Sequence, residues 1–250
     1  MTPDFSLAGH AALVTGSSQG IGLAIARGIH EAGGRVVLHG KAGAAPDFPV
    51  ATPCLVADLL EAGAGARLVG EAFRIFPALD LLVCNAGSFF DQPFLEIARE
   101  NWDRTLQLNV SANYFLAQAF ARELVARQRP GAIVTTCSTN GFLPEENSTA
   151  YDTSKGALVM MTRTLAQALA PHAIRVNGIA PGLIRTPLSA GAISPDKIAH
   201  YERKILQGRL GEPEDCAGAV VFLLSPAAAY VTGQIVTIDG GLTVGQIGRM

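Results

Sequence analysis

Residues 11–33, AALVTGSSQGIGLAIARGIHEAG, decide how the rest of the chain is read. A short apolar run, Ala11–Thr15, passes through the turn Gly16-Ser17-Ser18-Gln19-Gly20-Ile21-Gly22 into a segment with apolar residues at helical spacing. That order predicts a strand, a tight turn and a helix. Glycine permits positive φ and close approach of backbone N–H groups to a pyrophosphate, and a helix N-terminus adds unpaired donors and a positive dipole end. The stretch is expected to open a dinucleotide-binding unit, with Gly16, Ser18, Gln19, Gly20, Ile21 and Gly22 around the phosphates. A tight turn that binds nothing is the alternative.

Further apolar runs follow at Arg35–His39, Cys54–Ala57, Leu79–Cys84, Ala132–Cys137, Ile174–Gly178 and Gln234–Ile238, each flanked by Gly, Pro, Asp or Asn. Between most of them lie helical segments such as Ile21–Ala32, Trp102–Arg127 and Ala150–Ala170. Strand and helix in alternation predict an α/β fold: a single doubly wound Rossmann-type domain over residues 1–250, with about seven parallel strands and helices on both faces. The exception is AGAAPDFPVATP (42–53), which lacks helical periodicity, so the crossover helix there is expected to be short or missing.

Composition narrows the classes of function. Of the 250 residues, 49% are hydrophobic, which suits a sheet buried on both faces with apolar surface left for subunit contacts. The net charge is −2 and the 19 Lys and Arg are spread along the chain, which argues against nucleic acid as a partner. No apolar stretch reaches membrane-spanning length without polar residues, so no membrane partner is expected and the protein reads as soluble and cytoplasmic. Cys54, Cys84, Cys137 and Cys216 lie far apart and read as reduced core residues. The five histidines lack ligand spacing, so no metal is expected.

The spacing of Gly16, Gly20 and Gly22 resembles the TGxxxGxG fingerprint of the short-chain dehydrogenase/reductase family. Asn85-Ala86-Gly87, Asn109, Ser138, Tyr151-Asp152-Thr153-Ser154-Lys155 and Pro181-Gly182 follow in that family's order over nearly the whole chain. The resemblance implies an NAD(P)-dependent oxidoreductase that moves a hydride between nicotinamide and a secondary alcohol or ketone, assembled as a homotetramer or homodimer. It also implies that Asn85, Ala86 and Gly87 let the cofactor ribose lie against backbone, and that Asp58 and Leu59 contact adenine. Pro181, Gly182, Ile184 and Thr186 would line nicotinamide. By their own spacing, helices Trp102–Arg127 and Ala150–Ala170 carry apolar residues on more than one face, among them Tyr114, Phe115, Phe120, Leu158, Met160 and Met161. They are either a subunit contact or internal core.

Tyr151 and Lys155 are one helical turn apart on one face. A free phenol ionises near pH 10, and an ammonium beside it favours the phenolate. Tyr151 would therefore exchange a proton with the substrate oxygen as hydride moves. Lys155 would in addition hold the nicotinamide ribose, as the resemblance implies. Ser138, at the end of the fifth strand, would polarise the substrate carbonyl, with Thr139 as an alternative hydroxyl. Asn109 would hold a water that relays protons to Lys155 in the family's manner, or be a buried structural amide.

Substrate identity is expected to lie in residues 139–147 and in segment 183–207, which the resemblance implies folds over the substrate. There Glu145, Glu146 and Asn147 could meet the hydroxyls of a sugar, polyol or sugar acid. Arg185, Lys197, Arg203, Lys204 and Arg209 leave open a basic rim for an acyl-carrier thioester, hence a 3-oxoacyl-thioester reductase. A non-catalytic dinucleotide-sensing scaffold is the reading from another class. In the family that the chain resembles, a second strand ending in Asp at the place of Gly40 would select NAD, and Gly40 leaves that space open. Lys41 could pair with a 2′-phosphate and His39 could assist it or lie beside adenine, so NADP is expected, with NAD as the alternative.

Overall fold

A computed structural model describes residues 4–42, 47–190 and 195–245. Seven parallel strands form one sheet: β1 (Ala11–Val14), β2 (Arg35–Gly40), β3 (Cys54–Val56), β4 (Leu81–Cys84), β5 (Gly131–Thr136), β6 (Ile174–Pro181) and β7 (Ile235–Ile238). Their order is β3-β2-β1-β4-β5-β6-β7. The order reverses between β1 and β4, which puts the ligand crevice outside their carboxyl ends.

Alternation along each strand builds two cores. Leu13, Val37, Leu82 and Ile133 face one side, where they pack with Phe73 of α2 (Ala64–Ile75) and with Leu116 and Phe120 of α4 (Asn113–Ala126). Ala12, Val14, Leu38, Val83 and Val134 face the other, against Ile25 and Ile29 of α1 (Gly20–Glu31) and Val220 and Leu223 of α8 (Ala217–Leu224). The period of two in each strand is what makes a sheet with two dry faces.

The long helix expected at Trp102–Arg127 begins earlier, as α3 (Arg99–Leu106), and is broken by a π-helical turn at Gln107–Ala112 before α4. The wider turn carries Asn109, and such turns gather at functional sites. α5 (Thr149–Leu169) runs unbroken. β6 continues three residues past its expected end and so carries Pro181 to the sheet's carboxyl edge. The described residues between β2 and β3 hold no helix, as expected; residues 43–46 of that crossover lie outside the described ones.

The described residues of segment 183–207, which is expected to cover the substrate, hold α6 (Pro187–Ala190) and α7 (Pro195–Lys204). Among the described residues no helix is long and apolar enough to cross a membrane. All four cysteines are free; Cys84, Cys137 and Cys216 are buried and Cys54 is half-buried.

Candidate active site

The glycine turn is built against the end of β4. Gly16 has φ of 64°, and a Cβ at Gly22 would run into the Gly16 carbonyl oxygen. Asn85 Nδ2 donates to the carbonyls of Thr15 and Gly16 at 3.0 and 3.1 Å, while the N–H groups of Asn85 and Ala86 donate to Thr15 Oγ1. Asn85 and Ala86 thus fix the turn from beneath. Thr186 closes it from above, since a Cβ at Gly20 would meet its side chain at 3.5 Å.

His39 belongs to this frame and not to the ligand side. It is 3% exposed, and its Nδ1 accepts the Gly16 N–H at 3.1 Å while Nε2 faces the Ala57 carbonyl at 3.1 Å. Nδ1 must therefore be the acceptor and Nε2 the donor. Burial holds its pKa below the ordinary value, against the Ala57 bond. A neutral, fully bonded imidazole has no charge for a phosphate, which corrects the expectation that His39 assists there.

Gly40 is not beside open space either: a Cβ there would come to 3.1 Å of Ser18 Cβ. An acid at that position would press on the glycine turn. Lys41 Nζ pairs with Asp58 Oδ2 at 2.9 Å, with the lysine 64% and the aspartate 27% exposed. The Lys41 hydrogen bond, joined by the Leu60 N–H, holds the Asp58 carboxyl below the usual carboxylate range. Leu59, expected at adenine, is a core residue, 5% exposed. Ile184 is 6% exposed with its side chain in the α1/α8 core, so any contact with a ligand falls to its backbone. Pro181 ends β6, and Gly182 lies so close to Asp239 that a Cβ would stand 2.7 Å from the aspartate's. Gln19 is exposed at the start of α1, next to Ile21.

Beyond β5 the remaining residues converge. Lys155 is buried, and its Nζ donates to the Thr136 carbonyl at 2.9 Å and lies 5.3 Å from the Tyr151 ring centre. A Cβ at Gly87 would come to 3.1 Å of Asn109 Oδ1 and 3.8 Å of Lys155 Nζ, so a cofactor ribose could approach Lys155 there only past a glycine. The missing side chain fits the group that the fold implies.

Asn109 is fully buried; Oδ1 accepts the Ser88 N–H, and Nδ2 donates to the Ser88 carbonyl and to Ser154 Oγ. Ser154 Oγ in turn donates to the Tyr151 carbonyl at 2.7 Å. Of the two expectations for the Asn109 side chain, the structural amide is the one this geometry supports.

Ser138 Oγ donates to Asn140 Oδ1 and accepts the Asn140 N–H, both at 3.2 Å. Thr139 is buried beside it. Asp91, which the sequence did not single out, accepts the N–H groups of Ala150 and Tyr151 at 2.8 and 3.0 Å. It caps α5 from a loop 59 residues upstream, a pairing with no local signal. Burial pushes the Asp91 carboxyl up, against the two backbone bonds. Glu145, expected to meet substrate hydroxyls, spends Oε2 on Asn140 and Oε1 on Tyr201. In the expected basic rim, Arg185 is paired with Glu202 and Glu212, and Arg209 with Asp215; the Lys197 side chain lies outside the described residues.

A family model described as enoyl-(acyl carrier protein) reductase matches residues 16–243. Gluconate 5-dehydrogenase from Gluconobacter oxydans is 34% identical, over 97% of this chain and 98% of its own. The crystal structure of a short-chain type dehydrogenase/reductase from Mycobacterium marinum has a TM-score of 0.91 at 35% identity, over 97% of this chain and 98% of that one. That of a gluconate 5-dehydrogenase from Burkholderia cenocepacia, in complex with NADP and tartrate, has a TM-score of 0.90 at 32% identity, over 97% and 98%. With the glycine turn, the Ser138 hydroxyl and the Tyr151–Lys155 pair gathered at one edge of the sheet, the chain belongs to the short-chain dehydrogenase/reductase family.

Proposed function

We propose that the protein is an NADP-dependent oxidoreductase acting on a secondary alcohol or ketone of a small polyhydroxylated molecule: a sugar, polyol or sugar acid. The observation that carries this is the buried Lys155 ammonium, bonded to Thr136 and set beside the Tyr151 ring at the mouth of the crevice. The cofactor supplies the nicotinamide that gives or takes the hydride. Tyr151 Oη exchanges the proton with the substrate oxygen, Ser138 Oγ donates a hydrogen bond to that oxygen, and Lys155 stands beside the phenol ring. Gly16, Ser18, Gln19, Gly20, Ile21 and Gly22 hold the pyrophosphate; Asn85, Ala86, Gly87 and Lys155 take the nicotinamide ribose. Asp58 meets adenine, and Pro181, Gly182, the Ile184 backbone and Thr186 line nicotinamide.

NADP over NAD rests on Lys41. An exposed ion pair contributes about 0–1 kcal/mol, so exchanging Asp58 for a 2′-phosphate costs Lys41 little. NADP in the Burkholderia relative supports the same choice. Gluconate 5-dehydrogenase among the relatives supports the polyhydroxylated substrate. A 3-oxoacyl-[acyl-carrier-protein] reductase from Aquifex aeolicus, 33% identical over 96% of this chain, supports a second reading, a 3-oxoacyl-thioester reductase.

The apolar residues of α4 and α5 divide. Phe120, Leu158 and Met161 are core, whereas Tyr114, Phe115 and Met160 are 41, 58 and 55% exposed. That exposed set supports a homodimer or homotetramer joined through these helices, and the four free cysteines support a reducing compartment such as the cytoplasm.

Purified protein with D-gluconate or xylitol plus NADP, and with acetoacetyl-coenzyme A plus NADPH, tests the reading. Turnover of gluconate or xylitol alone is the expected result. Turnover of the thioester alone would replace the first reading with the second.

A further inference from the structure

Ser138 has one proton to give, and in this structure Asn140 takes it. The Asn140 amide has only one orientation compatible with its neighbours. Nδ2 points at two carboxylates, Asp152 Oδ1 at 2.8 Å and Glu145 Oε2 at 3.1 Å, and ionised carboxylates only accept. Oδ1 must then face Ser138. The backbone N–H of the same residue donates to Ser138 Oγ, so a single residue holds the hydroxyl at both its donor and acceptor sides.

The two bonds differ in what they do during reaction. The bond to Oδ1 can be exchanged for one to the substrate oxygen, while Nδ2 stays anchored on Asp152 and Glu145 and so keeps the Asn140 backbone N–H aimed at Ser138 Oγ. The bond from the Asn140 N–H persists and makes the hydroxyl a better donor, as in any hydrogen-bond chain.

The carboxylates that orient Asn140 are themselves held. Asp152 Oδ2 accepts the Glu145 N–H at 2.8 Å, which ties the loop to the first turn of α5. Glu145 Oε1 accepts from Tyr201 Oη on α7 at 2.6 Å. Burial, with Glu145 beside it, pushes the Tyr201 phenol up to about 12, so it stays a donor through neutral pH. One chain of bonds thus runs from the covering helix to the hydroxyl: Tyr201, Glu145, Asn140, Ser138.

We infer that Asn140 is a positioning residue for Ser138, and that Tyr201, acting through Glu145, makes that positioning depend on α7 being docked. The inference rests on Ser138 being the polarising hydroxyl of the proposed reaction.

The test is a set of variants, S138A, N140A, Y201F, S138A/N140A and N140A/Y201F, assayed on whichever of D-gluconate, xylitol or acetoacetyl-coenzyme A the wild type turns over fastest. NADPH affinity by fluorescence and Tm are measured alongside. N140A is expected to lower kcat about tenfold while KM changes less than about threefold, and NADPH affinity should hold. Y201F should lower kcat/KM about fivefold in the wild type and have no further effect on N140A, and N140A should have no further effect on S138A. Should N140A not fold, N140S, which keeps the backbone N–H and loses the amide, carries the same expectation.

A crippled S138A beside a full-rate N140A overturns this inference and leaves the proposed function standing. Multiplying losses in the double variants overturn it too, because a merely structural Asn140 lowers activity whether or not Ser138 is present. A full-rate S138A, or no turnover of any of the three substrates by the wild type, overturns the reading of the site and this inference with it.

Discussion

Lys155 Nζ donates to the backbone carbonyl of Thr136 at 2.9 Å, which pins a buried ammonium to the end of β5, two residues before Ser138. The lysine is thereby held beside Tyr151, and among the described residues no carboxylate pairs with it. Lys155→Ala should lower kcat by about 10²–10⁴, the usual weight of an acid–base group and its support. Lys155→Arg should not restore it, since a planar fork cannot take the place of a compact ammonium in so closed a space. Steady-state kinetics on both variants check this, and near-normal turnover by either would count against it.

The cofactor choice makes a separate prediction. Lys41→Ala should weaken NADPH by about tenfold and leave NADH nearly unchanged, because only the 2′-phosphate exchanges places with Asp58. Fluorescence titration with both nucleotides reads the difference directly. Equal losses would show that Lys41 does not discriminate.

His39 gives the fold a pH dependence whose sign is fixed. In the unfolded chain it binds a proton near pH 6.5, whereas burial holds the folded value lower. The unfolded state binds more protons between the two values, so this contribution is complete above about pH 6.5 and is lost as pH falls toward the folded pKa. His39→Asn should flatten the fall of Tm between pH 7 and pH 5. It should also cost about 1–3 kcal/mol at neutral pH through the bonds to Gly16 and Ala57. An unchanged slope in the variant would remove His39 from the account.

Asp91 predicts a loss of a different kind. Asp91→Ala leaves the N–H groups of Ala150 and Tyr151 without an acceptor and should destabilise the protein by about 0.5–2 kcal/mol. As Tyr151 stands in that first turn, kcat should fall several-fold with NADPH affinity unchanged. Thermal unfolding and kinetics on one preparation separate the two effects.

What could be read from the chain divides along physical lines. The sheet was legible because each strand is a short apolar run between turn residues, and the glycine turn because Gly16 and Gly22 touch within seven residues. Tyr151 and Lys155 were legible because one helical turn joins them. His39 was misread: its burial depends on Gly16 and Ala57, which β1 and β3 bring to it from either side. Asp91, Asn140 and Tyr201 were not singled out because their partners come from other loops and helices, and nothing local marks such pairings. The π turn at Asn109 was hidden for the same reason, since its amide is drawn to Ser88 by tertiary contact.

The most direct test of the central claim is Tyr151→Phe, which removes one oxygen and keeps the ring that packs against Phe89 at 5.5 Å. The expected result is a fall in kcat of at least about 100-fold with NADPH affinity and Tm close to wild type. Turnover at the wild-type rate would contradict the assignment of Tyr151 as the group that exchanges the proton.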